Sequence, residues 1–358
     1  MRSRRWLLAS ALGATGLGGG FYWASLPPPF LTVASWGGEY SAAQTAALFH
    51  PFTDQSGVAV VLRLHGGGTD EIARQTEMAE PEWDVIDMEL EDAAKACREG
   101  LLERLDGLNL PKGADGSPPS EDFVPGALGP CWVGTAVYSL VIAFAKAKTG
   151  AEEPRALADF FDTKRFPGPR ALRGNGPKYN LELALIADGV APGDVYPMLE
   201  TEAGVARAFA KLDTIKPLLL WWSRAAEPPE FLAQGKAVMT TVLNARVFDT
   251  GENPLFGAIF EGQLYQMDVF GVPKNTAKKT RTFEFLRFAT GTALLSEVAR
   301  LLPYAPARRS SLASIDPARR AGLPTAPENF QRALFVDPDW WAQHGEGLER
   351  RWAAWREK

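Results

Sequence analysis

The stretch 31–40, Leu-Thr-Val-Ala-Ser-Trp-Gly-Gly-Glu-Tyr, limits what this chain can fold into more than any other. A short run of strand formers, 31–35, ends in Trp36-Gly37-Gly38, an aromatic on a turn that needs the conformational freedom of glycine. Residues 41–49 then read as a helix. A strand that ends in a glycine turn and opens a helix places its turn residues at the strand's carboxyl end, where open α/β sheets bind ligands. Trp36, Glu39 and Tyr40 are therefore expected to face a ligand cleft.

The same alternation continues along the chain. A strand over 58–64 ends at Gly66-Gly67-Gly68, read as a tight turn, and a helix follows over 70–78. A short strand, 83–87, runs into the acidic stretch 88–92. Residues 106–122, rich in Pro, Gly, Asp and Ser, form a surface loop. The long apolar run 132–144 is a strand. A second series opens at 157–161 and adds helices over 181–188 and 204–212, a strand over 217–222, a helix closing at 231–235 and a buried strand over 237–243. Repeated βα units predict a mainly parallel sheet with helices on both faces. At 358 residues the chain is too long for one ordinary core, which predicts two lobes.

Residues 1–30 carry three arginines and no acids. Arg4-Arg5 directly precedes an apolar, Gly-rich run and resembles a twin-arginine export signal. The uncharged segment 6–26 is long enough to be a membrane tether instead. The remainder holds 35 basic and 43 acidic residues, a net charge of −8. Phosphate recognition needs a basic face, so nucleic acid is excluded as a partner. In an oxidising compartment the only two cysteines, Cys97 and Cys131, either pair or stay as small buried hydrophobes. Most of the eleven tryptophans are expected to pack cores.

The order of several pieces resembles the periplasmic solute-binding proteins of ABC importers, in their spermidine/putrescine-binding branch. These pieces are Ser35-Trp36-Gly37-Gly38, Trp83-Asp84-Val85 and Glu99-Gly100-Leu101-Leu102 in the first part. Ala158-Asp159-Phe160-Phe161 with Phe166-Pro167-Gly168 opens the second. The segment 263–273, Phe285-Leu286-Arg287-Phe288 and Leu302-Pro303-Tyr304-Ala305-Pro306 complete the set. The resemblance implies an α/β, type II-like fold of two lobes with the ligand cleft between them. Lobe 1 would comprise 31–136 plus 270–308 and lobe 2 137–269 plus 309–358. The crossovers would lie near 132–138 and 267–272. It further implies a periplasmic monomer, without cofactor or metal, that hands a small solute to the membrane subunits of an ABC permease.

Trp36 and Tyr304 match the family's stacking aromatics, and Asp268 its amine-binding carboxylate. A desolvated ammonium over an indole gains roughly 1 kcal/mol or more. A buried carboxylate needs a partner, which a ligand amine supplies and a hinge ion pair also would. Asp87 and Glu89 follow a strand at the cleft end, as Glu39 does, whereas Glu91 and Asp92 read as charges at a helix start. Trp222 and Ser223 end a strand, with Ser223 a candidate helix cap. Two departures bear on the ligand. Leu243 and Gln266 stand where polyamine binders carry further aromatics, and Asn244-Ala245-Arg246 brings a fixed positive charge. Arginine repels a polyamine but grips a carboxylate. The expected ligand is thus a polyamine such as putrescine or spermidine, or, through Arg246 and Asp268, a zwitterion such as an ω-amino acid. Arg246 would alternatively pair with Asp249 or Glu252.

An enzyme finds little support. His50, His65 and His344 are not in metal-ligand spacing, and there is neither a Gly-x-Ser-x-Gly elbow nor a phosphate loop. A secreted hydrolase with paired carboxylates and a tethered sensor of the same fold are the other classes.

Overall fold

The computed structural model describes residues 29–149, 152–248 and 255–357. The export segment, Asp249 and Glu252 lie outside the described residues. Ten strands form one mixed sheet: β1 (Phe30–Ser35), β2 (Ala59–Leu64), β3 (Val85–Glu89), β4 (Trp132–Ala145), β5 (Arg170–Arg173), β6 (Leu219–Trp222), β7 (Met239–Leu243), β8 (Phe256–Gly271), β9 (Ala305–Pro306) and β10 (Leu334–Phe335). The order is β2-β1-β3-β8-β4-β7-β5-β6, with β9 on β4 and β10 on β8.

The sheet departs from the mainly parallel expectation. Parallel pairing holds at the two ends, β2-β1-β3 and β7-β5-β6. The centre is antiparallel, because β4 and β8 run past each other over most of their length. Strands that carry the chain out of one half and back again must travel in opposite directions.

Two cores flank that centre. One buries Leu31, Val33, Ile86, Val137, Tyr265, Phe270 and Phe285, and extends to Leu312, Ile315 and Leu323. The other buries Leu140, Phe160, Leu172, Leu185, Leu264 and Leu334, and ends in Trp352 and Trp355. Core membership changes between Val137 and Leu140 in β4, between Leu264 and Tyr265 in β8, and again between Leu323 and Leu334. The chain therefore passes between the cores three times. At the last passage Val336 N–H donates to Tyr265 O (3.2 Å) and Gln266 Nε2 to Val336 O (2.8 Å). Gln266 is thus a strut of the crossing strands.

Local chemistry explains the elements that matter for the site. Gly37 and Gly38 sit at φ 84° and 58°, the left-handed region where glycine is favoured. The helix Gly38–Gln44 starts three residues earlier than its apolar pattern suggests and runs on through a π-turn, Thr45–Phe49, to Ser56. At the entry to the second core, buried Arg170 donates to the carbonyls of Phe160 (2.7 Å), Gly168 (2.7 Å) and Phe166 (2.5 Å), closing the turn that the Phe166-Pro167-Gly168 piece marks. The C-terminal helix Pro338–Glu357 buries four tryptophans on the second core. Trp341 Nε1 donates to Glu182 (2.6 Å) and Trp355 Nε1 to Asp213 (2.7 Å), so the polar ends of these two are satisfied. Among the described residues no helix is long and apolar enough to cross a membrane.

Cys97, at the end of helix Leu90–Arg98, is disulfide-bonded to Cys131, just before β4. Denatured, unreduced protein is expected to show no reactive thiol in a titration with a thiol reagent, and two after reduction. Two thiols before reduction would remove the bridge.

Candidate functional site

Trp36, Tyr40 and Glu89 all lie at the carboxyl ends of β1 and β3, the ligand end of a parallel sheet. β3 runs two residues beyond its expected end, and that extension sets Glu89 directly across from Asp268 on antiparallel β8. Cross-strand partners project from the same face, so two carboxylates meet there, a pairing that destabilises a sheet. Tyr138 arrives from β4, Tyr304 from the turn before β9, and Leu243, Ala245 and Arg246 from the end of β7. These nine residues line one cavity of ≈ 220 Å³. That is below the roughly 300–1,000 Å³ of sites for drug-sized ligands, so the cavity suits a small solute.

Three tyrosines wall it. The Tyr40 and Tyr304 rings meet edge-on at 5.5 Å and the Tyr138 and Tyr304 rings at 6.4 Å. Trp36 packs on His65 at 4.6 Å and on Gly67, where even a methyl group would meet the indole at 3.1 Å. The Trp36 Nε1 donor has no partner among the described residues. Burial, and then the charges of Asp87 and Glu89, push the Asp268 carboxyl well above its usual range. Burial followed by Asp92 and Glu91 raises Glu89. Among the described residues Asp268, Glu89 and Arg246 enter no ion pair. The arrangement therefore offers two unmatched carboxylates, a guanidinium and aromatic faces to one small volume.

Not every expected residue reaches this cavity. Glu39 is exposed, because the helix starts at Gly38 and turns it outward in the first turn. Asp87 is wholly buried behind the wall, accepting from Gln44 Nε2 (2.7 Å) and Ser35 Oγ (3.2 Å). Asn244 is also wholly buried, taking the Ser139 N–H (3.0 Å) and donating to Pro303 O (3.0 Å), a clamp between β4 and the Tyr304 turn. Trp222 and Ser223 line an adjoining compartment of ≈ 370 Å³ that shares Glu89, Tyr138 and Leu243 with the cavity. Trp222 Nε1 is committed to Thr241 Oγ1 (3.0 Å). Ser223 does not cap the next helix, which begins at Glu227; Ser223 N–H instead donates to Glu227 (2.8 Å).

Two neighbouring carboxylates are already engaged. Glu91 pairs with Lys178, and Asp92 accepts the Gly68 N–H (2.8 Å), filling the glycine turn with the chain's own carboxylate. Tyr138 and Arg173 are cleft residues that sequence reasoning missed. Tyr138 stood inside the expected crossover 132–138, which was its only signal. Arg173 lies in the adjoining compartment with its guanidinium 5.0 Å from the Tyr179 ring. Tyr179 itself holds φ 74°, rare for a residue other than glycine. A larger cavity, ≈ 580 Å³, lies elsewhere, beside Phe144, Glu261 and Arg332. There Arg332 pairs with Glu261 (3.1 Å).

Comparison with known proteins identifies the family. Residues 47–325 match the family described as bacterial extracellular solute-binding protein. A γ-aminobutyric acid-binding protein of Pseudomonas aeruginosa is 39 % identical over 326 residues, covering 91 % of this chain and 90 % of that one. A solved GABA receptor is 30 % identical with a TM-score of 0.74, covering 91 % of this chain and 97 % of its own. A substrate-binding protein of an ABC transporter from Bradyrhizobium japonicum is 30 % identical with a TM-score of 0.77, covering 91 % and 99 %. These relatives are solute receptors rather than enzymes. The chain belongs to the bacterial extracellular solute-binding proteins, the two-lobed α/β receptors that deliver small molecules to ABC transporters.

Proposed function

We propose that the protein captures a small zwitterion whose amine and carboxylate stand at opposite ends, an ω-amino acid of the γ-aminobutyrate class. The observation that carries this reading is the shared cavity that Asp268, Glu89 and Arg246 line together, with none of the three ion-paired among the described residues. The ammonium would sit between the two carboxylates and against Trp36 and Tyr40, and the carboxylate on the guanidinium. A diamine would leave its second ammonium beside Arg246. The names of the P. aeruginosa relative and of the solved GABA receptor support the same class. One lobe would hold the core of β1–β3 and the other that of β5–β7, closing over the solute about the strands that cross between them. Export by the twin-arginine route, a monomeric state and delivery to a permease complete the proposal.

A thermal-shift panel tests it. γ-Aminobutyrate at about 100 times its Kd should stabilise the protein by about 2.7 kcal/mol. Putrescine and spermidine should leave the melting point in place. A shift with polyamines and none with γ-aminobutyrate would reverse the assignment. Arg246→Gln should weaken γ-aminobutyrate by about tenfold or more, the loss of a charge-assisted contact. Unchanged affinity would remove Arg246 from the site.

A further inference from the structure

One edge of β4 changes partner beside the cavity. β7 pairs with it from Phe144 back to Leu140, ending on the Leu140–Leu243 rung, and β9 pairs with it at Val137 and Ala136. β8 holds the opposite edge past both, through Tyr138 and Ser139. Tyr138 and Ser139 therefore face a gap between β7 and β9. A buried strand N–H left in such a gap costs free energy unless a side chain takes it. Asn244, the residue after the last β7 rung, does so, and its Oδ1 accepts the Ser139 N–H (3.0 Å). Its Nδ2 donates to Pro303 O (3.0 Å), just before Tyr304 and β9. An N–H needs an acceptor and a carbonyl needs a donor, so a side-chain amide fits both where a carboxylate or an aliphatic group would not.

The same residue closes the turn that carries Arg246. The Asn244 carbonyl accepts the Val247 N–H (3.0 Å) and the Phe248 N–H (3.2 Å), so Ala245 and Arg246 lie in a loop closed on Asn244. Val242 and Val247, on either side of that turn, belong to the second core, and Leu302, just before Pro303, belongs to the first. Asn244 thus joins the two halves where Arg246, Tyr138 and Tyr304 converge on the cavity. It is wholly buried and does not line the cavity itself. No acid among the described residues is ion-paired to Arg246, so the turn sets the place of the guanidinium.

We propose that Asn244 is a positioning residue that fixes Arg246 for the solute's carboxylate by tying the Arg246 turn to β4 and to the Tyr304 turn of the opposite half. The proposal rests on the reading that Arg246 receives a carboxylate. A guanidinium gives its full contact only where its planar fork meets the carboxylate squarely, so a small displacement of the turn forfeits much of it. Because the Asn244 amide reaches across from one core to the other, it also sets how far the Arg246 wall stands from the Tyr304 wall, and with that the length of solute the cavity accepts.

Two measurements test this. The first needs no solute. In a crystal structure of empty Asn244→Ala the Arg246 guanidinium should shift by about 1 Å or more, the drift of a site whose supporting contacts are gone. The second is calorimetry of γ-aminobutyrate binding to Asn244→Ala, Arg246→Gln and the double variant. Each single variant should lose about tenfold in affinity, and the double variant about the same, because a misplaced guanidinium has little left to lose. Losses that multiply to about a hundredfold would mark a general structural defect and overturn the positioning role. So would parent-like affinity in Asn244→Ala, or a guanidinium that stays in place in its crystal structure. Should the alanine variant fail to fold, Asn244→Asp, of the same shape, keeps the acceptor for Ser139 N–H and loses the donor to Pro303; it should weaken γ-aminobutyrate with the same lack of additivity, and additive losses would again overturn the role. A displaced guanidinium, with no γ-aminobutyrate binding by the parent, would uphold the positioning of Arg246 and reject the solute.

Discussion

Replacing Asp268 by asparagine is expected to remove most of the affinity for an amine solute while stabilising the empty protein. The two effects have opposite signs and a single cause. Asp268 is forced against Glu89 by the register of β3 and β8, and no cation pairs with it among the described residues. Losing one partner of a desolvated charge pair costs about 2–5 kcal/mol of binding, or roughly 30-fold to several thousand-fold in affinity. Where both carboxyls are ionised, the same change in the empty receptor removes a like-charge contact of about 0.2–1 kcal/mol. The pH dependence follows from the direction of the shift. With its carboxyl raised in the folded state, Asp268 binds more protons there than in the unfolded chain, whose aspartates titrate near about 3.9. The parent therefore loses stability as pH climbs from about 4 through the raised folded value, while asparagine does not titrate. The variant's advantage in melting temperature should widen over that interval. Isothermal titration with γ-aminobutyrate and paired melts at two pH values check both halves. An affinity within about threefold of the parent would take Asp268 out of the site.

Such a trade is common where a site is built for its ligand rather than for the fold, and it marks what could be read from the chain. The Trp36-Gly37-Gly38 turn was legible because its chemistry is local. A strand, a glycine-dependent turn and a helix needed no partner to be recognised. Asp268 and Tyr304 were legible only by resemblance, because nothing in their own neighbourhoods separates them from ordinary strand-edge residues. The direction of β8 was not legible, since strand pairing is set by residues far apart in sequence, and Gly257 and Gly262 interrupt its apolar pattern. That omission hid the site's central feature, the opposition of Glu89 and Asp268. Glu89 read as part of an acidic stretch because a strand boundary is uncertain by a residue or two, and here two residues decide which side chain faces β8. Glu39 shows the converse error. A carboxylate beside the right turn was turned outward by a helix that began three residues early. Asn244 also passed for a site residue, because a buried polar side chain that clamps backbone looks like one that greets a ligand.

The loop 106–122 hides the second large effect. Its composition reads as surface, and most of it is exposed, yet Asp122 at its end is wholly buried against Arg308, which is wholly buried too. Arg308 donates to Asp122 Oδ2 (2.8 Å), Thr290 O (2.7 Å) and Pro111 O (2.9 Å), and its guanidinium lies 4.4 Å from the Phe123 ring. Asp122 also accepts from Ser310 N–H (2.8 Å) and Ser310 Oγ (2.9 Å). One side chain thus ties the loop, the end of helix Lys279–Ala289 and the segment after β9 into the first core. Arg308→Leu keeps the aliphatic bulk but strands a buried carboxylate and two carbonyls. The cost should be about 3–5 kcal/mol, and the melting temperature should fall on the order of 10 °C. Asp122→Asn in the same chain replaces the stranded charge by a neutral acceptor and should recover a substantial part of that loss. This coupling separates an unpaired charge from a simple packing defect. If the single variant melts within about 2 °C of the parent, or if the second substitution adds to the damage, the pair is not what holds this loop to the core.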